Sequence, residues 1–254
     1  MIPFFRKIRK KMADDNKPLK YARYAIGEII LVVIGILIAL QINNWNEDKK
    51  ERRIENKYIN RLTNDLRVDM NYHNKRIEQA ENDLRHLDMF ISQMSEFQKN
   101  THEIVDLFKH LHLNTDPFAS ANSTFSELLS TGDFKTFSND TLKNLILDYY
   151  RINDDFINQM EEFNLVSTNL LVENAVINPN ISKILAWINS VFDESYIIDG
   201  EFDFINNPKS LKFQMLRNTA SFYRRRNMEH LTILKQMRLN AEQMLFYIEK
   251  KNTN

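Results

Sequence analysis

Cysteine is absent, glycine occurs four times and proline five times in 254 residues. Without cysteine there is no disulfide framework, which is compatible with either side of a membrane. So few glycines and prolines leave few places to break a helix, and the composition points to an all-α fold. Net charge is missing too, since 34 Lys and Arg balance 34 Asp and Glu. No Gly-x-Gly-x-x-Gly, Walker loop, His-Glu-x-x-His or Gly-x-Ser-x-Gly occurs, which argues against a common nucleotide-dependent enzyme.

What is present is one long apolar run. From Ala25 to Ile42 only Glu28 and Gln41 are polar, and at ~1.5 Å per residue the run crosses most of a hydrocarbon layer roughly 30 Å thick. Tyr24 and Trp45 stand where amphipathic rings prefer the two interfaces. The exit through Gln41, Ile42, Asn43, Asn44 and Trp45 has no small-x-small site, so the run reads as an uncleaved signal-anchor. Glu28 falls about one turn after Tyr24, where it reaches the interface or pairs with Arg23. Gly35 and Ala39 form a small-xxx-small pair that allows close helix packing and a dimer.

Eight Lys and Arg precede the run, against six over residues 46–65. The positive-inside rule therefore favours a cytoplasmic N-terminus and a periplasmic C-terminal domain, placing the protein in a bacterial inner membrane as a single-pass chain. Phe4, Phe5, Ile8 and Met12 share a helical face ringed by Arg6, Lys7, Arg9, Lys10 and Lys11. That segment is either an amphipathic helix on the anionic leaflet or a plain topology signal. The part beyond the span is weakly acidic, a poor match for nucleic acid.

Apolar positions recur at three- and four-residue steps from Ile59 through Leu62, Leu66, Met70, His73, Ile77, Ala80, Leu84, Leu87 and Ile91 to Met94. The transmembrane helix is thus expected to continue into a coiled-coil-like helix ending near residue 97. A second stripe, Leu216, Ala220, Tyr223, Asn227, His230, Leu234, Met237, Ala241, Met244 and Ile248, follows Asn207 and Pro208, read as a helix start. Antiparallel pairing of the two stripes sets Ile59 beside Ile248 and Ile91 near Leu216. Between them, Ser123 is read as the cap of a short helix stopped at a left-handed Gly132, residues 138–140 as the start of a longer helix, residues 181–191 as a short helix and residues 196–202 as a hairpin. The organisation expected is a basic cytoplasmic segment over 1–23, a span over 24–45, a stalk over 46–100, a globular helical insert over 101–206, and a C-terminal helix over 207–254 packing back on the stalk in an extracytoplasmic bundle.

The segment YAIGEIILVVIGILIALQINNWNE at 24–47, the block from Ser123 to Gly132 and the block from Asn139 to the tyrosine pair Tyr149 and Tyr150 resemble a family of uncharacterised bacterial single-pass membrane proteins, known only as a domain of unknown function. The resemblance implies an inner-membrane location and supplies no activity, substrate or catalytic residue.

Few residues carry chemistry. His102, Asp106 and His110 fall at i, i+4 and i+8, with His112 nearby, and form a weak metal candidate, since three ligands over two turns do not easily reach one ion. A solvated face opposite Ile104, Val105, Phe108 and Leu111 is the preferred account of them. Asp199 and Asp203 around Gly200 lack the calcium-loop spacing. The run Arg224, Arg225 and Arg226 reads as a solvated face. Tyr150 and Phe134 are candidate partner contacts, with Tyr149 assigned to the core. No cofactor is expected. The preferred reading is a non-enzymatic, membrane-anchored helical module acting through the bilayer, a second copy, or a membrane or periplasmic protein partner. The alternative is a metal-dependent or hydrolytic periplasmic enzyme using the His102 to His112 region.

Overall fold

The computed structural model describes residues 18–96, 98–114, 117–118, 120–177 and 201–252. Among them every regular element is helical: α1 Pro18–Met94, α2 Thr101–Phe108, α3 Ser123–Thr131, α4 Asp140–Ile177 and α5 Leu211–Asn252, with 3-10 turns at Asp133–Thr136 and Asp203–Asn206. Residues 1–17 of the expected basic segment, the expected helix over 181–191 and residues 196–200 of the expected hairpin lie outside the described residues.

Pro18 opens α1, where its missing N–H leaves no bond unmade and its fixed φ suits the first turn. Gly35 is the last glycine or proline before Pro117, so no residue interrupts the ladder for the rest of the helix. The helix ends at Met94, before the expected stop. Ser95 and Glu96 turn back on the carbonyls of Ser92 and Gln93, and Gln98 takes a left-handed φ of 55°. Asn100 then starts α2 with a capping box: its side chain accepts from the Glu103 N–H at 3.0 Å, and Glu103 accepts from the Asn100 N–H at 2.8 Å.

The chain divides into two compact units, residues 1–57 with 135–138, and residues 58–134 with 139–254. In the first, α1 carries the apolar run, and an 18-residue window of it is long and apolar enough to cross a membrane with none of it buried within the fold. A Cβ built on Gly27 or Gly35 meets nothing within 4 Å. Lys49 Nζ stands 5.2 Å from the Trp45 ring centroid. Farther along, the buried Glu55 accepts a hydrogen bond from Ser138 Oγ at 3.1 Å.

The second unit is built on three long helical segments. Residues 58–94 of α1 run antiparallel to α5, with ion pairs Arg67 to Glu249 at 3.0 Å, Lys235 to Glu81 at 2.9 Å, and Arg224 to Asp88. α4 is antiparallel to α5 as well: Asn139 meets Tyr247 at one end, and Asn174 donates to Thr219 at the other. So α4, inside the expected insert, is a full member of the bundle. At one end Leu87, Phe90, Met94, Phe108, Phe202, Phe213, Leu216 and Tyr223 form a continuous apolar cluster, and nearer the middle Met160 packs with Ile233, Leu234 and Met237. Each fully buried Leu or Phe contributes about 1.5–3 kcal/mol through removal from water.

The starts of α3 and α5 differ from the sequence reading, while that of α4 falls within the expected residues 138–140. Ser123 is the first residue of α3, whose preceding Asn122 makes no side-chain cap bond. Asn139 caps α4 by accepting from the Leu142 N–H at 3.0 Å. α5 begins at Leu211, with Ser210 Oγ accepting from the Phe213 N–H at 3.2 Å, so Pro208 lies in the preceding turn. Gly132 ends α3 at φ 72°, the left-handed position expected of it.

Candidate functional site: polar groups inside the bundle

The apolar stripes of α1 and α5 are interrupted at the same level. Asp83 on α1, and Arg226, Asn227 and His230 on α5, are all buried. Together with Arg76, Gln79, Ala80, Asn114, Asn164 and Leu234 they line a cavity of ≈30 Å³. A polar cavity needs about 10–15 Å³ per water, so this one suits one or two waters and excludes an organic substrate. Arg226 donates to the Asn114 carbonyl and, at 2.7 Å, to Asn227 Oδ1, with its guanidinium 4.5 Å from the Tyr223 ring centroid. The buried Asn164 Oδ1, Asn227 Nδ2 and His230 Nε2 have no hydrogen-bond partner. Burial, reinforced by Arg226, pulls the His230 imidazole down to about 4.

Beside this cavity three histidines meet. His112 Nδ1 lies 2.7 Å from Asp83 Oδ1. His86, one turn along α1 from Asp83, stacks on His112 with centroids 4.2 Å apart and an interplanar angle of 14°. His86 Nδ1 is also 2.9 Å from His110 Nδ1, so one ring donates and the other accepts. Burial, then the neighbouring His112 and His110, holds His86 below its ordinary range.

This arrangement changes the part played by the metal candidates. α2 stops at Phe108, so His110 leaves the face shared by His102 and Asp106 and turns to His86. His102 and Asp106 remain exposed, 3.4 Å apart, while Lys109 holds Asp106 at 2.6 Å and lowers its carboxyl below the usual range. Nor do His86 and His112 converge on one point: in-plane lone pairs of nearly parallel stacked rings cannot both address one ion. Among the described residues no group of three His, Asp or Glu has metal-holding geometry.

A second polar cluster surrounds Asp69, which accepts from Tyr149 Oη at 3.0 Å, the Ala121 N–H at 2.9 Å and Ser120 Oγ at 3.3 Å. Burial raises its carboxyl pKa, and these three bonds oppose the rise. His73, fully buried on α1, stacks on Phe118 at 5.7 Å with neither ring nitrogen bonded, and burial lowers it to about 4.

Of the two partner-surface candidates, Tyr150 needs correction. Tyr150 is 3% exposed and stacks on Phe125 at 4.1 Å, because two adjacent tyrosines on α4 both turn toward the bundle. Phe134 is half-buried. Exposed apolar side chains occur elsewhere, at Leu165 and Val172 on α4 and Phe246 on α5. Of the anchor residues, Tyr24 and Glu28 are partly covered, while Gly35, Ala39 and Trp45 are exposed. The histidine cluster was not legible beforehand because His86 sits between Leu84 and Leu87 as an ordinary polar position. Its signal, four histidines among residues 86–112, does not say which of them meet.

Residues 28–163, more than half the chain, match a family described as a family of unknown function, DUF6090. No match is found among curated proteins or among solved structures.

Proposed function

The chain belongs to the DUF6090 family, and from its own geometry we propose that it is a single-pass membrane module whose helical bundle acts by binding another protein, as a scaffold or accessory sensor. The observation carrying this reading is that one helix, α1, contains both an unburied apolar stretch long enough for a bilayer and the first strut of the bundle. The interior cavity beside Asp83, about 30 Å³, is sized for one or two waters and too small for an organic substrate. Exposed Leu165, Val172 and Phe246 supply apolar surface for a protein contact. The basic N-terminal segment faces the cytoplasm and the bundle the opposite side, which in a bacterium is the periplasm. The Asp83 to His112 contact is the one observation favouring an acid–base enzyme, and the small cavity Asp83 lines weighs against it.

The absence of cysteine makes the test direct. Single variants Lys10→Cys and Asp154→Cys in the full chain are treated in intact cells with a membrane-impermeant maleimide. Labelling of Asp154→Cys alone, with Lys10→Cys reacting only after lysis, is the expected result. The reverse pattern overturns the orientation, and release of the chain from membranes by alkaline carbonate overturns the anchor. Photocrosslinkers at Leu165 and Phe246 then test the interaction reading: capture of one specific protein at stoichiometric yield is expected, and capture of none at either position overturns it.

A further inference from the structure

We propose that His86, His110 and His112 form an acid-opened latch, holding residues 109–114 against α1 while at most two of the three rings are protonated and releasing them when all three are.

The proton count follows from the contacts. A 2.9 Å distance between His86 Nδ1 and His110 Nδ1 has room for one hydrogen. Asp83 compensates one imidazolium, His112, through the 2.7 Å contact at Nδ1. A second proton rests on the His86 and His110 pair with one Nδ1–H still directed at the other nitrogen. A third puts two N–H groups head to head and sets a cationic His86 face to face with a cationic His112, rings 4.2 Å apart. The charges around the cluster give little relief: Asp83 also favours a charged His86 and Asp106 a charged His110, but each is already engaged, by His112 and by Lys109. On α1 the next charged residue, Arg85, is positive and disfavours protonation of His86. Toward α2, Asp106 is engaged by Lys109 at 2.6 Å. From α5, Arg226 lines the same cavity as Asp83, and Arg224 is paired with Asp88. α4 contributes the neutral Asn164 to the cavity.

Release has a defined mechanical result. Asn114, two residues past His112, offers its carbonyl to the buried Arg226. Moving residues 109–114 away removes that acceptor and one wall of the cavity, opening Asn227 Nδ2 and His230 Nε2 to solvent. The latch therefore turns acidification into exposure of a polar surface on α5, whichever side of the membrane the bundle occupies.

Hydrogen exchange of the full chain in lipid nanodiscs tests this. On going from about pH 7.5 to about pH 5, after correction for intrinsic exchange, protection at residues 109–114 should fall roughly tenfold further than protection across α4 and α5, which loses only what the buried His73 and His230 withdraw from the whole fold. His86→Phe keeps an aromatic face for His112 but takes no proton, and His110→Gln keeps a neutral hydrogen-bonding side chain. In either variant the extra loss at residues 109–114 should vanish, so one that folds suffices. Unchanged protection in the wild type overturns the latch, as does an extra loss at residues 109–114 persisting in the variants. Loss of protection uniform across all helices overturns it too, assigning the acid response to the buried His73 and His230.

Discussion

Tyr149 Oη on α4 donates a 3.0 Å hydrogen bond to the carboxylate of Asp69 on α1, joining two helices through a buried charge that also anchors the chain entering α3. Removing one partner of such a bond leaves the other desolvated, which costs more than the bond contributes. Tyr149→Phe should destabilise the bundle by about 1.5–3 kcal/mol. Asp69→Ala should cost more, because it strands the Ala121 N–H along with the phenol. A denaturant-melt double-mutant cycle checks the coupling, and additive losses would show that the pair does not act together.

Acid should weaken the fold through His73 and His230. Both have folded pKa values near 4, below the ordinary 6.5, so the unfolded chain binds more protons between those limits. Stability is complete above about pH 6.5 and falls as pH drops toward 4, by about 3 kcal/mol per histidine at ~1.36 kcal/mol per unit. Asp69, whose folded pKa is raised, acts in the opposite sense and offsets part of the loss. His73→Phe, placed beside Phe118, should flatten the pH dependence of the urea midpoint between pH 7 and 4.5. An unchanged slope would show that His73 is hydrated in solution.

Gly132 closes α3 at φ 72°, where a side chain is strained although space is open around it. Gly132→Ala should cost about 1–2 kcal/mol in thermal unfolding, and Gly132→Asn less, since Asn tolerates the left-handed region. Equal losses for the two would place the cost elsewhere than in the backbone.

Phe90 lies in the apolar cluster with Phe108 and Tyr223 and has no exposed surface. Phe90→Ala should lower stability by about 3–5 kcal/mol, while truncating the exposed Phe246 should change it by less than about 0.5 kcal/mol. A calorimetric or denaturant melt of the two variants decides between them.

The sequence alone determined the helical class and the apolar stretch, because both rest on local facts: few glycines and prolines, a three- and four-residue apolar period, and an uninterrupted run before Gln41. The Gly132 stop was legible for the same reason, since a backbone angle is written in one residue. Tertiary packing alone decided that Tyr150 is buried against Phe125, and that His110 leaves His102 to meet His86. It also brought Asp83, Arg226 and Asn114, from three distant segments, to one cavity. Such contacts depend on where a helix ends and how two helices are rotated about their axes. A shift of a single residue turns a side chain by about 100°, which a periodicity read from composition does not resolve.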